Sequence, residues 1–204
     1  MFYRMDFDME IIDESIREGT NAIYAEQDNL SEIEYDGIKK GFFDNIILSD
    51  RKIDSWPEVK FYYSSKVSNR ENEYLLSSTS WPIIHKKVQD IFEREKIQGI
   101  EYYSIELVDV CTDEINDNYV LMYVKNFIDA YDMEKSRYSY EPKYNFYSFE
   151  PHATYLSAKV CEAYDIFRCK QDVTSLYVSE KIKKIIDENQ WKGFDLVRQR
   201  VSEI

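Results

Sequence analysis

Two histidines, three cysteines and several clusters of acids are the residue types here that could do chemistry. His152, in FEPHATY, is the candidate general base, a role that needs a nucleophile or acid within hydrogen-bond reach. His85 stands beside Lys86 and Lys87 at a predicted helix start, where an exposed polar role is expected. Cys111, in VDVCTDE, sits among carboxylates, a setting that disfavours the thiolate a nucleophile needs. Cys161 and Cys169 are expected in strands of a core, where cysteine behaves as a small hydrophobe. Asp129, Asp132 and Glu134 are the most clustered acids after an apolar strand, the place where metal or glycosidase chemistry wants its carboxylates. No histidine stands near them, and acidic loops commonly just face water. Neither GxGxxG nor GxxxxGK[ST] occurs, so the phosphate-binding signatures are missing. No catalytic residue, metal site or cofactor is assigned on these grounds. A hydrolase or metal-dependent enzyme using Asp129, Asp132, Glu134 or His152 is the alternative reading.

The elements that must position these residues are set by composition and periodicity. The 204 residues suit one large domain, or two small ones sharing a core. A net charge of −13 repels nucleic-acid backbones and anionic membranes. It suits a basic protein partner through long-range steering, and it also serves plain solubility. The 18 Tyr against 11 Phe and 3 Trp fit either a recognition surface or a wet core edge, since tyrosine joins contact area to a polar tip. The three cysteines form no CxxC pair, which fits a reducing cytoplasm rather than a disulfide framework. Met1 leads into MFYRMDFDME, with acids where a signal peptide needs an apolar stretch. Nothing approaches 18 apolar residues in a row, the length that would span a bilayer.

Along the chain, EIIDESIREG (Glu10–Gly19) predicts a short helix, and FFDNIILS (Phe42–Ser49) a strand or a buried helical turn. KFYYSSK reads as a strand. In SWPIIHKKVQDIFEREKIQGIEYYSIELV, Ser80 is the predicted cap and Pro82 lies in the first turn. Ile84, Val88, Ile91 and Phe92 form an apolar stripe, Gly99 is the left-handed stop, and Ile100–Val108 a strand. The same pattern returns in Val178, Ile182, Ile185 and Ile186, with Ser179 as cap, Gly193 as stop and the strand Phe194–Val197 after it. A shift of 94 positions lays Ile84–Glu101 over Val178–Asp195 without a gap, placing Lys87 on Lys181 and Gly99 on Gly193. Between them NYVLMYVKNFI predicts a central strand, and TYLSAKV and YDIFRCK predict two more. Asp129–Pro151 reads mainly as a loop or irregular hairpin. The expected fold is α+β: a mixed, largely antiparallel sheet with at least two amphipathic helices and a helix–Gly–strand unit used twice.

Three stretches carry a family resemblance: EYLLSSTSWPIIHKKVQDIFEREKIQGIEYYSIEL, YVLMYVKNFIDAYDMEKSRY and DIFRCKQDVTSLYVSEKIKKIIDENQWKGFDLV. Their order and spacing resemble the immunity proteins of bacterial polymorphic toxin systems, specifically immunity family eleven. The matching positions are Tyr119, Leu121, Asp132 and Ser136, then Ile166, Phe167, Arg168, Tyr177, Val178, Ser179, Gly193 and Phe194. The resemblance covers roughly residues 73–197, and divides the chain into an irregular N-terminal segment (1–72) and an immunity-family-like α+β domain (73–204). It implies a cytoplasmic protein that binds and neutralises a cognate toxin, and it carries over no catalytic residue. The expected contact surface is the Asp129–Tyr147 segment, with Tyr138, Tyr140, Tyr144 and Tyr147 as anchors and Asp129, Asp132 and Glu134 as the source of the field. The same residues would equally suit a solvated loop whose rings pack on the sheet. Asp132 and Ser136 also suit a purely structural turn.

Overall fold

The computed structural model describes residues 1–10, 24–25, 33, 43–64, 72–77, 79 and 81–202. They form mixed, mostly antiparallel sheets with a few helices, an α+β arrangement. One five-stranded sheet has the order β10 (Phe127–Ile128), β14 (Ile166–Cys169), β15 (Asp172–Ser179), β1 (Phe2–Phe7), β16 (Phe194–Arg198). A four-stranded sheet has the order β4 (Tyr74–Leu75), β5 (Ile83–His85), β9 (Tyr119–Val124), β6 (Ile100–Ser104). A second four-stranded sheet runs β2 (Tyr24–Ala25), β3 (Lys60–Tyr63), β7 (Glu106–Asp109), β8 (Ile115–Asn116). Two smaller pairings remain, β11 (Tyr138–Glu141) with β12 (Phe146–Phe149), and β13 (Tyr155–Ser157) with β17 (Arg200–Ser202).

Alternation along the strands decides which core each residue serves. In β9, Tyr119, Leu121 and Tyr123 face one cluster with Phe61, Trp81 and Leu107, while Val120, Met122 and Val124 face a second. A strand buried on both faces needs a continuous apolar run, which YVLMYV supplies. The second cluster is shared by the two main sheets, with Tyr3, Met5, Ile166 and Val178 on the five-stranded side. The opposite face of that sheet places Phe2, Phe167, Cys169 and Tyr177 in a third cluster with Tyr131 and Leu156.

Helices α1 (Lys86–Arg94) and α3 (Glu180–Asn189) bury Val88 and Phe92, and Ile182, Ile185 and Ile186, in the shared second cluster. A short helix, α2 (Ala158–Cys161), follows β13. Several expected boundaries move. Helix α1 starts at His85, whose Nδ1 accepts the Lys87 N–H at 3.1 Å; the expected cap Ser80 lies outside the described residues. Ile83 and Ile84 are strand residues because β9 offers Leu121 and Val120 as partners, satisfying backbone groups that a longer helix would have used internally. At the C-terminal ends the left-handed residues are Lys96 (φ 56°) and Gln190 (φ 53°), not glycines. Ser179 does stand at the start of α3, but its hydroxyl donates to Asp165 at 2.8 Å instead of capping.

The two glycines serve the entry to the next strand. Gly193, at φ 93°, lies against β4, where an added Cβ would come within 2.1 Å of the Tyr74 carbonyl oxygen. Glu73 and Tyr74 N–H groups both donate to Lys192 O there, and buried Glu73 accepts from Lys192 N at 2.6 Å and pairs with Lys87 at 2.5 Å. Backbone approach this close excludes a side chain. Ile100–Val108 is not one strand: β6 joins β9, β7 pairs in parallel with β3, and buried Ile105 marks the corner. TYLSAKV ends as a strand at Ser157, which places Cys161 in helix α2. Phe43–Leu48 is a 3-10 helix. Most of the helix expected over Glu10–Gly19 (residues 11–19) lies outside the described residues.

Candidate functional site

The aromatic residues of Asp129–Tyr147 meet on the β11–β12 hairpin. In the register Tyr138 opposes Phe149 and Tyr140 opposes Tyr147, and since residues two apart share a face, these four rings line one side. Ring centroids are 4.6 Å apart for Tyr140–Tyr147, 5.6 Å for Tyr138–Tyr147 and 5.5 Å for Tyr138–Phe149. The ladder ends on the body of the protein, where Phe149 lies 4.2 Å from the Tyr131 ring. The turn EPKYN closes through Tyr144 N–H to Glu141 O at 3.2 Å and left-handed Asn145 (φ 48°), whose side chain accepts from the Tyr140 hydroxyl at 2.8 Å. At the base, Arg137 N–H donates to Ala153 O and Glu150 N–H to Arg137 O.

Most of this hairpin faces water. Tyr144 is 69% exposed, Phe146 60%, Tyr140 44% and Tyr138 40%, whereas the tyrosines of the clusters below them, such as Tyr131 and Tyr177, are buried. Phe146 and Phe149 were missing from the sequence reading. The signal for them was present as period-two YSYE and FYSF on either side of PKYN, a hairpin pattern.

The three acids do not gather with the rings or with each other. Asp129 accepts from Lys170 Nζ at 3.1 Å and Gln171 Nε2 at 3.2 Å. Asp132 shapes a turn, accepting the Glu134 and Lys135 N–H groups at 3.1 Å each. A hydrogen bond from Ser202, with the Lys135 and Glu134 N–H groups, holds its carboxyl below the usual carboxylate range. Ser136 belongs to the same turn, its N–H donating to Asp132 O and its Oγ accepting from Tyr155 N–H at 2.9 Å. Glu134 is exposed. Among the described residues no group of three or more His, Cys, Asp or Glu could hold a metal ion.

The remaining chemical candidates are dispersed. His152 is exposed on the 3-10 turn Pro151–Ala153. His85 caps α1 and packs edge-on to Tyr119. Burial pushes the Cys161 thiol up to about 12 and raises that of Cys169, so both are held protonated. Cys111 lies 3.2 Å from the Ser64 hydroxyl, and its N–H donates to Asp109.

One further side chain stands out in the interior. Arg168 is 1% exposed, and its NH1 donates to Val173 O at 2.8 Å and Thr174 O at 3.1 Å, across a register shift in the β14–β15 pairing. Its Nε has no acceptor among the described residues. Burial lowers its pKa to about 10, which leaves it cationic at neutral pH.

The described residues thus gather the aromatic side chains on one face of the β11–β12 hairpin, apart from the acids and thiols. The model of the Immunity protein family (Imm11) matches residues 4–200. The chain belongs to that family. The match begins inside β1, so it takes in N-terminal residues that the resemblance over 73–197 left aside. Among curated proteins none matches this immunity protein. Family membership points to a non-enzymatic role and to a toxin protein as the partner. No helix among the described residues is long and apolar enough to cross a membrane.

Proposed function

We propose that this immunity protein acts in the cytoplasm of a bacterium carrying a polymorphic toxin system, where it neutralises its toxin by stoichiometric occlusion through the exposed aromatic residues of the β11–β12 hairpin. The observation that carries this reading is the ladder Tyr138–Phe149–Tyr147–Tyr140, with Tyr144 exposed in the turn and Phe146 exposed on the opposite face. Tyrosine gives contact area at low entropic cost, and clustered exposed aromatics are the composition of binding hot spots. Both hairpin strands also have free edges among the described residues, able to take a further strand from a partner. The charge of −13 favours fast capture of a basic toxin. Co-expression tests the proposal: cells making the toxin with this protein are expected to survive, and the two to co-purify at fixed ratio. Equal killing with and without the protein sinks it.

We also infer that the scaffold is one strand–helix–strand unit used twice, with the hairpin lying outside both copies. Segments β5–α1–β6 and β15–α3–β16 each flank one antiparallel strand, β9 and β1 respectively. Under a shift of 94 for the units and 117 for the central strands, Ile84↔Val120 becomes Val178↔Tyr3 and Ile100↔Val124 becomes Phe194↔Phe7. Lys125 N–H to Gly99 O likewise becomes Asp8 N–H to Gly193 O. Left-handed Lys96 and Gln190 correspond, as do Gly99 and Gly193. A rigid doubled scaffold with function on an inserted loop follows the usual division between framework and binding element.

A further inference from the structure

We propose that the cavity beside Arg168 is a binding site for a small organic monocarboxylate, held by the guanidinium. The cavity, about 300 Å3, lies between the five-stranded sheet and the β4–β5 connection. Strands β1, β14 and β15 and residues 74–77, 79, 81 and 82 contribute its walls, which include Met5, Phe7, Leu76, Trp81 and Pro82. That volume is at the small end of ligand pockets, and Ser77, Thr79, Thr174, Asp6 and Arg168 complete the lining, a mostly apolar wall with a few polar groups being their usual make-up.

Arg168 is a buried cation with no acid in hydrogen-bond contact among the described residues; Asp172 acts on it only at a distance. Removing such a charge from water is costly unless it is paired. NH1 is taken by two carbonyls of β15, Val173 and Thr174, which compensate only one corner of the fork. Nε is buried without an acceptor among the described residues. The neighbouring acids are committed: Asp6, which lines the cavity, accepts from Arg4 Nε at 2.7 Å. Asp172 accepts from the Tyr131, Thr174 and Ser175 hydroxyls. Tyr74, also in the wall, is no counter-ion, because burial pushes its phenol up to about 12. A guanidinium fork matches a planar carboxylate in parallel hydrogen bonds. Asp6 is paired with Arg4, so the uncompensated guanidinium together with the apolar part of the wall favours one carboxylate on an apolar body over dianions and inorganic anions.

The test uses the purified full chain and needs no toxin, so its failure is separate from failure of the hairpin reading. Benzoate, phenylacetate and hexanoate are compared with their neutral amides, with inorganic phosphate and with chloride, by saturation-transfer NMR and thermal shift. At least one acid is expected to bind and raise the Tm, at least about ten-fold tighter than its amide, as loss of a charged hydrogen-bond partner implies. Arg168→Gln should remove that preference. Since this variant also disturbs the β14–β15 turn, Leu76→Trp gives a second route, filling the cavity with the guanidinium intact, and should abolish acid binding. The proposal is overturned if no acid binds, if amides bind as well as acids, if phosphate or chloride binds as well, or if Leu76→Trp leaves acid binding unchanged.

Discussion

Two aromatic assemblies meet at Tyr131, and they are built from the same parts but differ in burial. Below it, Phe167 stacks on Tyr177 at 5.5 Å and meets Phe2 edge-on at 5.7 Å, all three buried. Tyr131 and Tyr177 share a hydroxyl hydrogen bond of 2.6 Å, so even the polar tips are satisfied inside. Burial raises both phenols far enough that neither ionises in the ordinary pH range. Above it, the hairpin rings touch at similar distances, yet Tyr138, Tyr140, Tyr144 and Phe146 remain exposed. Ring contact alone is therefore no guide to role. What differs is the apolar area removed from water: the lower assembly has used it for folding, and the upper leaves much of it exposed.

The largest expected effect falls on the lower assembly. Phe167→Ala removes a fully buried ring between Phe2 and Tyr177, and should lower stability by about 3–5 kcal/mol. Urea denaturation followed by far-UV circular dichroism measures this. A loss below about 1 kcal/mol, the size usual for surface positions, would erase the distinction between the assemblies. The hairpin should respond in the other direction. Tyr140→Ala with Tyr147→Ala removes a cross-strand pair from a two-stranded element, and should change global stability by less than about 1 kcal/mol. The same double variant should weaken toxin binding by about 2 kcal/mol or more, roughly thirty-fold, when titrated calorimetrically. Full affinity with lost stability would make the ladder a folding element.

How much of this was legible in the sequence depends on whether a local rule or a distant partner set each feature. The stripes of α1 and α3 and the buried run of β9 could be read directly, because amphipathic period and continuous apolar content are local properties. The start of α1 could not, since Ile83 and Ile84 are strand residues only because β9, more than thirty positions away, pairs with them. The helix stops were misassigned to Gly99 and Gly193 for a related reason. Their glycine requirement comes from Asn126 and from the Tyr74 carbonyl, long-range neighbours, while Lys96 and Gln190 accept the left-handed turn despite their side chains. For the site, the tyrosines were legible as a cluster, but their common face was not, because it follows from the register of Tyr138 with Phe149. Arg168 was visible as part of IFR, and its burial without an acid in hydrogen-bond contact depends on tertiary packing alone.

The smallest effect concerns the mount that joins the two assemblies. Asp132 holds the turn preceding the hairpin through the Glu134 and Lys135 N–H groups, and its own backbone pairs with Tyr155 and Ser136. Its carboxyl is depressed by the Ser202 hydrogen bond and those N–H groups. A carboxyl depressed in the fold binds its proton less readily there than in the unfolded chain. Its stabilisation is therefore fully present above the ordinary aspartate value of about 3.9 and is lost as pH falls through the lower folded value. The group is partly exposed, so solvent screening keeps the effect small. Two-dimensional NMR from pH 6 down to pH 3 should show hairpin and turn amides shifting and broadening at the acid end before the β9 amides change. In Asp132→Asn that early acid transition should disappear, because an amide side chain does not titrate. Simultaneous loss of hairpin and β9 signals in the parent protein would mean that the two assemblies are one cooperative unit, and the separation between folding and binding aromatics would then rest on exposure alone.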